Sequence, residues 1–202
     1  VSRITVAQRR SDLVAAAVEV IAVHGVAGAT TRRIVEQAGA NIAMVHYCYD
    51  SKDDLFADVY KFALARFRTA LTESDPHTDL KETARQLLRG VMKVYLESPS
   101  FTAATLELIS WARRRQEGGV IAVYDKSLDT ARALLREASW DRPVESATID
   151  QIAFLISILA DGVALHWLSY RDLSSAAEQM EIAVSTLDSW LEARLESAPA
   201  DL

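Results

Sequence analysis

The chain has 202 residues, half of them apolar, and 22 Lys and Arg against 28 Asp and Glu leave it at −6. That is apolar content enough for a buried core, while seven glycines and four prolines are too few for a turn-rich β protein. The one cysteine, Cys48, excludes an intramolecular disulfide and fits a reducing compartment. The first twelve residues include Arg3, Arg9, Arg10 and Asp12 and no apolar run of the secretory-leader kind, so a cytoplasmic protein is expected.

Helical periodicity runs almost throughout. Residues 6–24 place Leu13, Ala17, Val20 and Ile21 on one stripe, and Gly25 is read as the glycine that ends the run. Thr30 can cap a second helix with Ile34, Val35 and Ala38 on its inner face. Gly39 stops that helix, and Asn41 caps a third running to about Cys48. Ser51-Lys52-Asp53-Asp54 has capping-box spacing ahead of a long helix presenting Phe56, Tyr60, Ala63, Phe67 and Leu71. After the polar loop 74–79, helices are expected at 79–97, 101–116, 119–138, 146–170 and 174–196. Ser98-Pro99-Ser100, Gly118-Gly119, the stretch 139–143 and the stretch 171–173 separate them. The fold class is all-α, with about nine helices.

Residues 148–170 are the best candidate for a membrane span, which needs roughly 20 predominantly apolar residues. Asp161 and His166 would lie deep in lipid, so a helix buried in a core or between subunits is expected instead, with no membrane partner. The last helix carries Met180, Val184, Leu187, Leu191 and Leu195 on one stripe and Ala176, Ala183 and Trp190 on another. Two apolar faces imply two packing partners.

The second and third helices, joined through Gly39, form a helix-turn-helix whose second helix is sized for a major groove. Residues 8–60 resemble the N-terminal domain of TetR-family transcriptional regulators. The resemblance rests on His24-Gly25, Thr30 to Val35 (TTRRIV), Ala38-Gly39-Ala40-Asn41, the aromatic group His46, Tyr47 and Tyr49, and Ser51-Lys52-Asp53-Asp54-Leu55. Asn41, Ala43, His46 and Tyr49 stand where the family usually has Ser, Gly, Tyr and Phe. The resemblance implies a three-helix DNA-reading head, residues 1–50, on a ligand-binding and dimerisation body, residues 51–202.

Charge over residues 1–55 cancels: Arg3, Arg9, Arg10, Arg32, Arg33 and Lys52 are matched by Asp12, Glu19, Glu36, Asp50, Asp53 and Asp54. Double-stranded DNA must therefore be met by cations placed one at a time. Thr30, Thr31, Arg32, Arg33, Asn41, Ile42, Met44, His46, Tyr47 and Lys52 are the expected contacts. Thr30 also caps its helix, and Tyr47 and His46 are freer to face DNA than the inward Val45 and Tyr49. The recognition helix has no Arg, Lys or Gln at its start, so readout should use thymine methyls, with Arg32 reaching toward guanine.

In the family, the last two helices of each subunit pair into a four-helix bundle. Ile152, Ile156, Leu159, Val184, Leu187 and Leu191 are accordingly expected near a homodimer interface or in the core beneath it. A pocket for a small-molecule effector is expected among Tyr95, Phe101, Glu107, Trp111, Tyr124, Phe154, Asp161, His166 and Trp167, aromatic walls with a few polar groups. The resulting expectation is a ligand-responsive repressor. An activator or a ligand-independent regulator remains open beside it, as does an α-helical enzyme or carrier with a structural helix-turn-helix.

Enzyme readings find little footing. Asp53-Asp54 reads as acids at a helix N-terminus and the i, i+4 pair Asp125 and Asp129 as an exposed face. His24, His46, His77 and His166 have no ligand spacing, and no HExxH, zinc, phosphate-loop or GxSxG motif occurs. No cofactor, metal or catalytic residue is expected.

Overall fold

Side-chain caps set most of the helix starts. In the computed structural model, which describes residues 5–72, 78–115, 118–141 and 143–196, the helices are α1 (Val6–Gly28), α2 (Thr31–Gln37), α3 (Ile42–Cys48), α4 (Lys52–Thr72), α5 (Leu80–Glu97), α6 (Pro99–Arg115), α7 (Gly118–Glu137), α8 (Ser146–Tyr170) and α9 (Leu173–Glu196). Thr5, Thr30 and Asn41 each accept a hydrogen bond from the backbone N–H three residues on. Ser51 and Asp54 bond reciprocally: Asp54 N–H donates to Ser51 Oγ at 3.1 Å, and Ser51 N–H to Asp54 Oδ2 at 3.0 Å. The capping box expected ahead of α4 is there, with Asp in the acid position. Among the described residues there is no strand, only an isolated parallel bridge between Asp79 and Ser139.

Two boundaries differ from the sequence reading by more than one residue. α6 begins at Pro99 rather than 101, because Ser98 Oγ caps the Phe101 N–H and proline suits the first helical position. α1 does not stop at Gly25. Its backbone breaks there (φ 67°, ψ 170°) and a last turn continues to Gly28.

The chain forms two compact units. The first contains 1–65 and 98–124, the second 66–97 and 125–202. In the first, Leu13, Ala17 and Ile21 of α1, Ile34 of α2, Val45 of α3, Leu55 of α4 and Leu108 of α6 are buried. In the second, Leu87, Leu88 and Met92 of α5, Ile152, Ala160 and Ala164 of α8, and Leu187 and Leu191 of α9 form the core. Arg85–Asp188 at 2.7 Å and Arg89–Glu181 at 2.6 Å flank the α5–α9 packing. By length and composition α1 and α8 are each apolar enough to cross a membrane. In this fold α8 packs one face against α5 and α9.

Gly90 lets α5 approach α4 closely: a Cβ there would lie 2.9 Å from the Ala70 carbonyl oxygen. Helix propensity alone favours a larger residue by about 1 kcal/mol. Overpacking against backbone costs about 1–3 kcal/mol, and a branched side chain takes the upper end. Gly90→Val should therefore lower stability, measured as a reduced urea midpoint. A midpoint equal to or above wild type would show that α4 yields freely.

Candidate DNA interface

α2 and α3 have seven residues each, and their inner faces are Ile34 and Val35, and Val45 and Cys48. Gly39 at φ 58° turns the chain between them, and Ala40 N–H closes back on the Val35 carbonyl at 2.9 Å. The turn leaves Asn41, Ile42, Ala43, His46 and Tyr47 exposed on α3, Tyr47 at 71%. Met44 is half-buried, and the thiol of Cys48 is buried and free.

The cations are arranged less freely than the sequence implied. Arg32 is exposed but pairs with Glu36 at 3.1 Å. Arg33 turns back, its Nη1 donating to the Gly28 carbonyl at 2.8 Å, so it caps the end of α1. Lys52, at the start of α4, holds its ammonium 4.8 Å from the centre of the Phe56 ring. Thr30 is occupied as the α2 cap, and Thr31 is half-buried behind it.

A polar cluster ties the end of α3 to α1 and α4. The Tyr49 hydroxyl donates to Asp58 Oδ2 at 3.1 Å, and Arg10 reaches the same oxygen at 2.9 Å while its guanidinium lies 4.6 Å over the Tyr49 ring. Lys61 binds the other oxygen at 3.0 Å. Burial by itself raises the Asp58 carboxyl, but hydrogen bonds from Lys61, Tyr49 and Arg10 and the Arg10 charge outweigh it and hold the group below its ordinary 3.8. Burial pushes the Tyr49 phenol up to about 12 against the opposing Arg10 hydrogen bond, so it stays a donor at neutral pH.

The predicted effector residues divide between the units. Phe101, Glu107 and Trp111 of α6 lie in the first, where Phe101 meets Phe62 and Trp111 meets Phe56 edge-on. Tyr95, Phe154, Asp161, His166 and Trp167 lie in the second, and the side chain of Tyr124 is outside the described residues. Tyr95 donates to Asp161 Oδ1 at 2.8 Å and takes the edge of Phe67 at 5.2 Å. Phe154 and His166 cannot share a wall with Trp167: both are exposed on the outward side of α8, while Trp167 is buried on its inner side. No group of three or more His, Cys, Asp or Glu among the described residues could hold a metal ion.

Of the residues expected near a subunit interface, Ile152, Ile156, Val184, Leu187 and Leu191 are buried within the chain, in the core rather than at its surface. Leu159 alone lines an open depression of about 340 Å³, with Ile158, Gly162, His166, Gln179, Ile182 and Thr186. The outward apolar stripe was not singled out from the sequence. It consists of Phe154, Ile158 and Leu165 on α8 and Ile182 on α9, all at least half exposed.

Residues 13–59, the helix-turn-helix with its flanking helices, match the model for bacterial regulatory proteins of the tetR family. That segment is a tetR-family DNA-binding domain. The chain is 28% identical over 177 residues, 83% of its length and 87% of the relative's, to the HTH-type nicotine-responsive transcriptional repressor HdnoR of Paenarthrobacter nicotinovorans. It is 25% identical over 194 residues, 93% of its chain and 89% of the relative's, to the HTH-type transcriptional regulator BetI of Rhizobium meliloti (strain 1021). Among solved structures, a TetR-family transcriptional regulator from Streptomyces coelicolor superposes with a TM-score of 0.71 at 15% identity, covering 94% of this chain and 84% of that one. At that identity the likeness shows the fold. Both curated relatives are transcriptional regulators.

The Asp58 cluster has a pH signature. A folded value below the unfolded one contributes stability that is present above the ordinary carboxylate value and lost as pH falls through the folded value. Asp58→Asn should lower the urea midpoint at pH 7, and the gap to wild type should close below about pH 3. A gap that persists undiminished in acid would mean that shape, and not charge, holds the cluster.

Proposed function

We propose that the chain is an effector-responsive repressor that binds a pseudo-palindromic duplex as a homodimer in the cytoplasm. In this reading residues 1–50 contact DNA, and residues 51–202 assemble the dimer and take the effector. The observation that carries it is the exposed row Asn41, Ile42, Ala43, His46 and Tyr47 on a helix of the length and setting of a recognition helix. The first part of α4 supplies Lys52 beside it for a phosphate. Repression is supported by the nicotine-responsive repressor among the relatives. In the second unit, the Tyr95–Asp161 pair beside Phe67 suits an amine on an aromatic or hydroxylated frame.

Duplexes enriched from a random pool by the wild-type protein test this reading. Two-fold related half-sites should emerge, spaced by about 34–36 Å or slightly more. Lys52→Ala should weaken binding nearly uniformly across sequences and cut the salt slope by about one unit. Arg32→Ala should relax preference at one base position, at about 1–3 kcal/mol. Binding unchanged with both replaced would remove the DNA assignment. Nicotine is the first effector probe: release of the duplex that Asp161→Asn abolishes supports the amine reading, and release that ignores the substitution refutes it.

The second copy is expected on the outward face of α8 and α9. Phe154, Ile158, Leu165 and Ile182 form an apolar stripe that the chain leaves uncovered. Gln179 lines the depression beside this stripe, and its buried Oε1 has no hydrogen-bond partner among the described residues. Ile158→Glu should give folded monomers in sedimentation that no longer shift the selected duplex, since the position is half exposed within one chain. A wild-type protein that stays monomeric at micromolar concentration would contradict this assembly.

A further inference from the structure

The turn between α1 and α2 holds a backbone donor that its own segment cannot satisfy. At Gly25 the chain leaves helical geometry, so the Val26 N–H loses its intrahelical acceptor. Val26 is 1% exposed, so water does not replace that acceptor. Further along the turn the bonds are local: Ala29 N–H donates to the Val26 carbonyl and Thr30 N–H to the Gly28 carbonyl, which also receives Arg33. The Val26 N–H is met instead from α6, by Glu107 Oε1 at 3.4 Å, across 81 residues of sequence. The same oxygen lies 3.1 Å from where a Cβ on Gly25 would stand, and Arg114 approaches it at 3.5 Å. Glu107 therefore sits over the break itself. α6 is held to α4 as well, through Trp111 on Phe56 and Phe101 on Phe62, and the Phe56 ring also carries the Lys52 ammonium.

We propose that Glu107 is a positioning residue for DNA binding: by accepting from Val26 it fixes the turn that aims the start of α2 at the duplex, which makes α6 a working part of the DNA-reading unit. This rests on the DNA-binding reading above. It replaces the expectation that Glu107 lines an effector pocket. A carboxylate is not required for the task; an oxygen acceptor at that reach is. Losing it leaves a buried N–H unpaired, or lets the turn shift until water reaches it, and either outcome displaces α2.

The test uses the full chain carrying Glu107→Ala, Glu107→Gln or Glu107→Asp. Three quantities are read: affinity for a duplex selected by wild type, hydrogen exchange of the Val26 amide, and thermal unfolding. Glu107→Ala should speed Val26 exchange and weaken DNA binding by about three- to tenfold, the size of one hydrogen bond, without changing the salt slope. Glu107→Gln keeps the acceptor and should stay within about twofold of wild type in both. Glu107→Asp withdraws the carboxylate by one methylene and should fall between them, and it decides the matter if the Ala variant does not fold. Faster Val26 exchange with unchanged affinity would overturn the proposal, leaving Glu107 a purely structural cap. So would a Gln variant as impaired as Ala, since charge would then be the cause. Wild-type protein that selects no duplex at all would instead sink the regulator reading, and this proposal with it.

Discussion

Two helices of seven residues make too few internal hydrogen bonds to persist alone in water, and α2 and α3 are of that length. Everything the head presents outward depends on bracing from longer helices. Asp58 is the centre of that bracing: one carboxylate, mostly buried, gathers Arg10 from α1, the Tyr49 hydroxyl from the end of α3 and Lys61 from its own helix. Its worth lies in fixing three elements at once, because a buried carboxylate with its lone pairs satisfied has few alternative arrangements. Apolar packing of Leu13, Ile34, Val45 and Leu55 supplies the cohesion beneath it.

The second unit meets a different constraint. α8 is apolar nearly all round, yet only one side of it is covered by α5 and α9. The charged flank of α9 is spent on α5, through Asp188 with Arg85 and Glu181 with Arg89. What remains outward is the stripe around Ile158 and Ile182, so charge and apolarity are sorted onto opposite flanks of one helix. Such sorting leaves one flank packed against α5 and one apolar flank exposed.

Legibility from sequence followed distance along the chain. Caps act over three residues, and Thr30, Asn41 and the Ser51–Asp54 box were readable as local patterns. So was the inward turn of Val45 and Tyr49, by their spacing of four. The Tyr49 hydroxyl carried a clue, since the family usually has phenylalanine there, but its partner Asp58 lies on the next helix. The fate of Arg33 needed the turn geometry that brings the Gly28 carbonyl within reach. Glu107 and Val26 are brought together only by the packing of α6 on α1, and no periodicity predicts that. On α8 the hydrophobic pattern has too little contrast to tell the buried side from the exposed one. Ile152 and Ile156 therefore read as readily toward an interface as toward the core in which they lie.

The way the head disposes of its cations bears on how such a protein moves through a genome. Arg33 donates to a carbonyl and Arg32 shares only an exposed pair with Glu36 that a base could displace, in a chain whose formal charge is −6. Holding to arbitrary duplex depends on the number of phosphates neutralised, and few cations stand ready for that here. On the repressor reading proposed above, a protein so built would grip random DNA weakly and reach its site mainly by repeated collision from solution, so that occupancy would follow copy number closely.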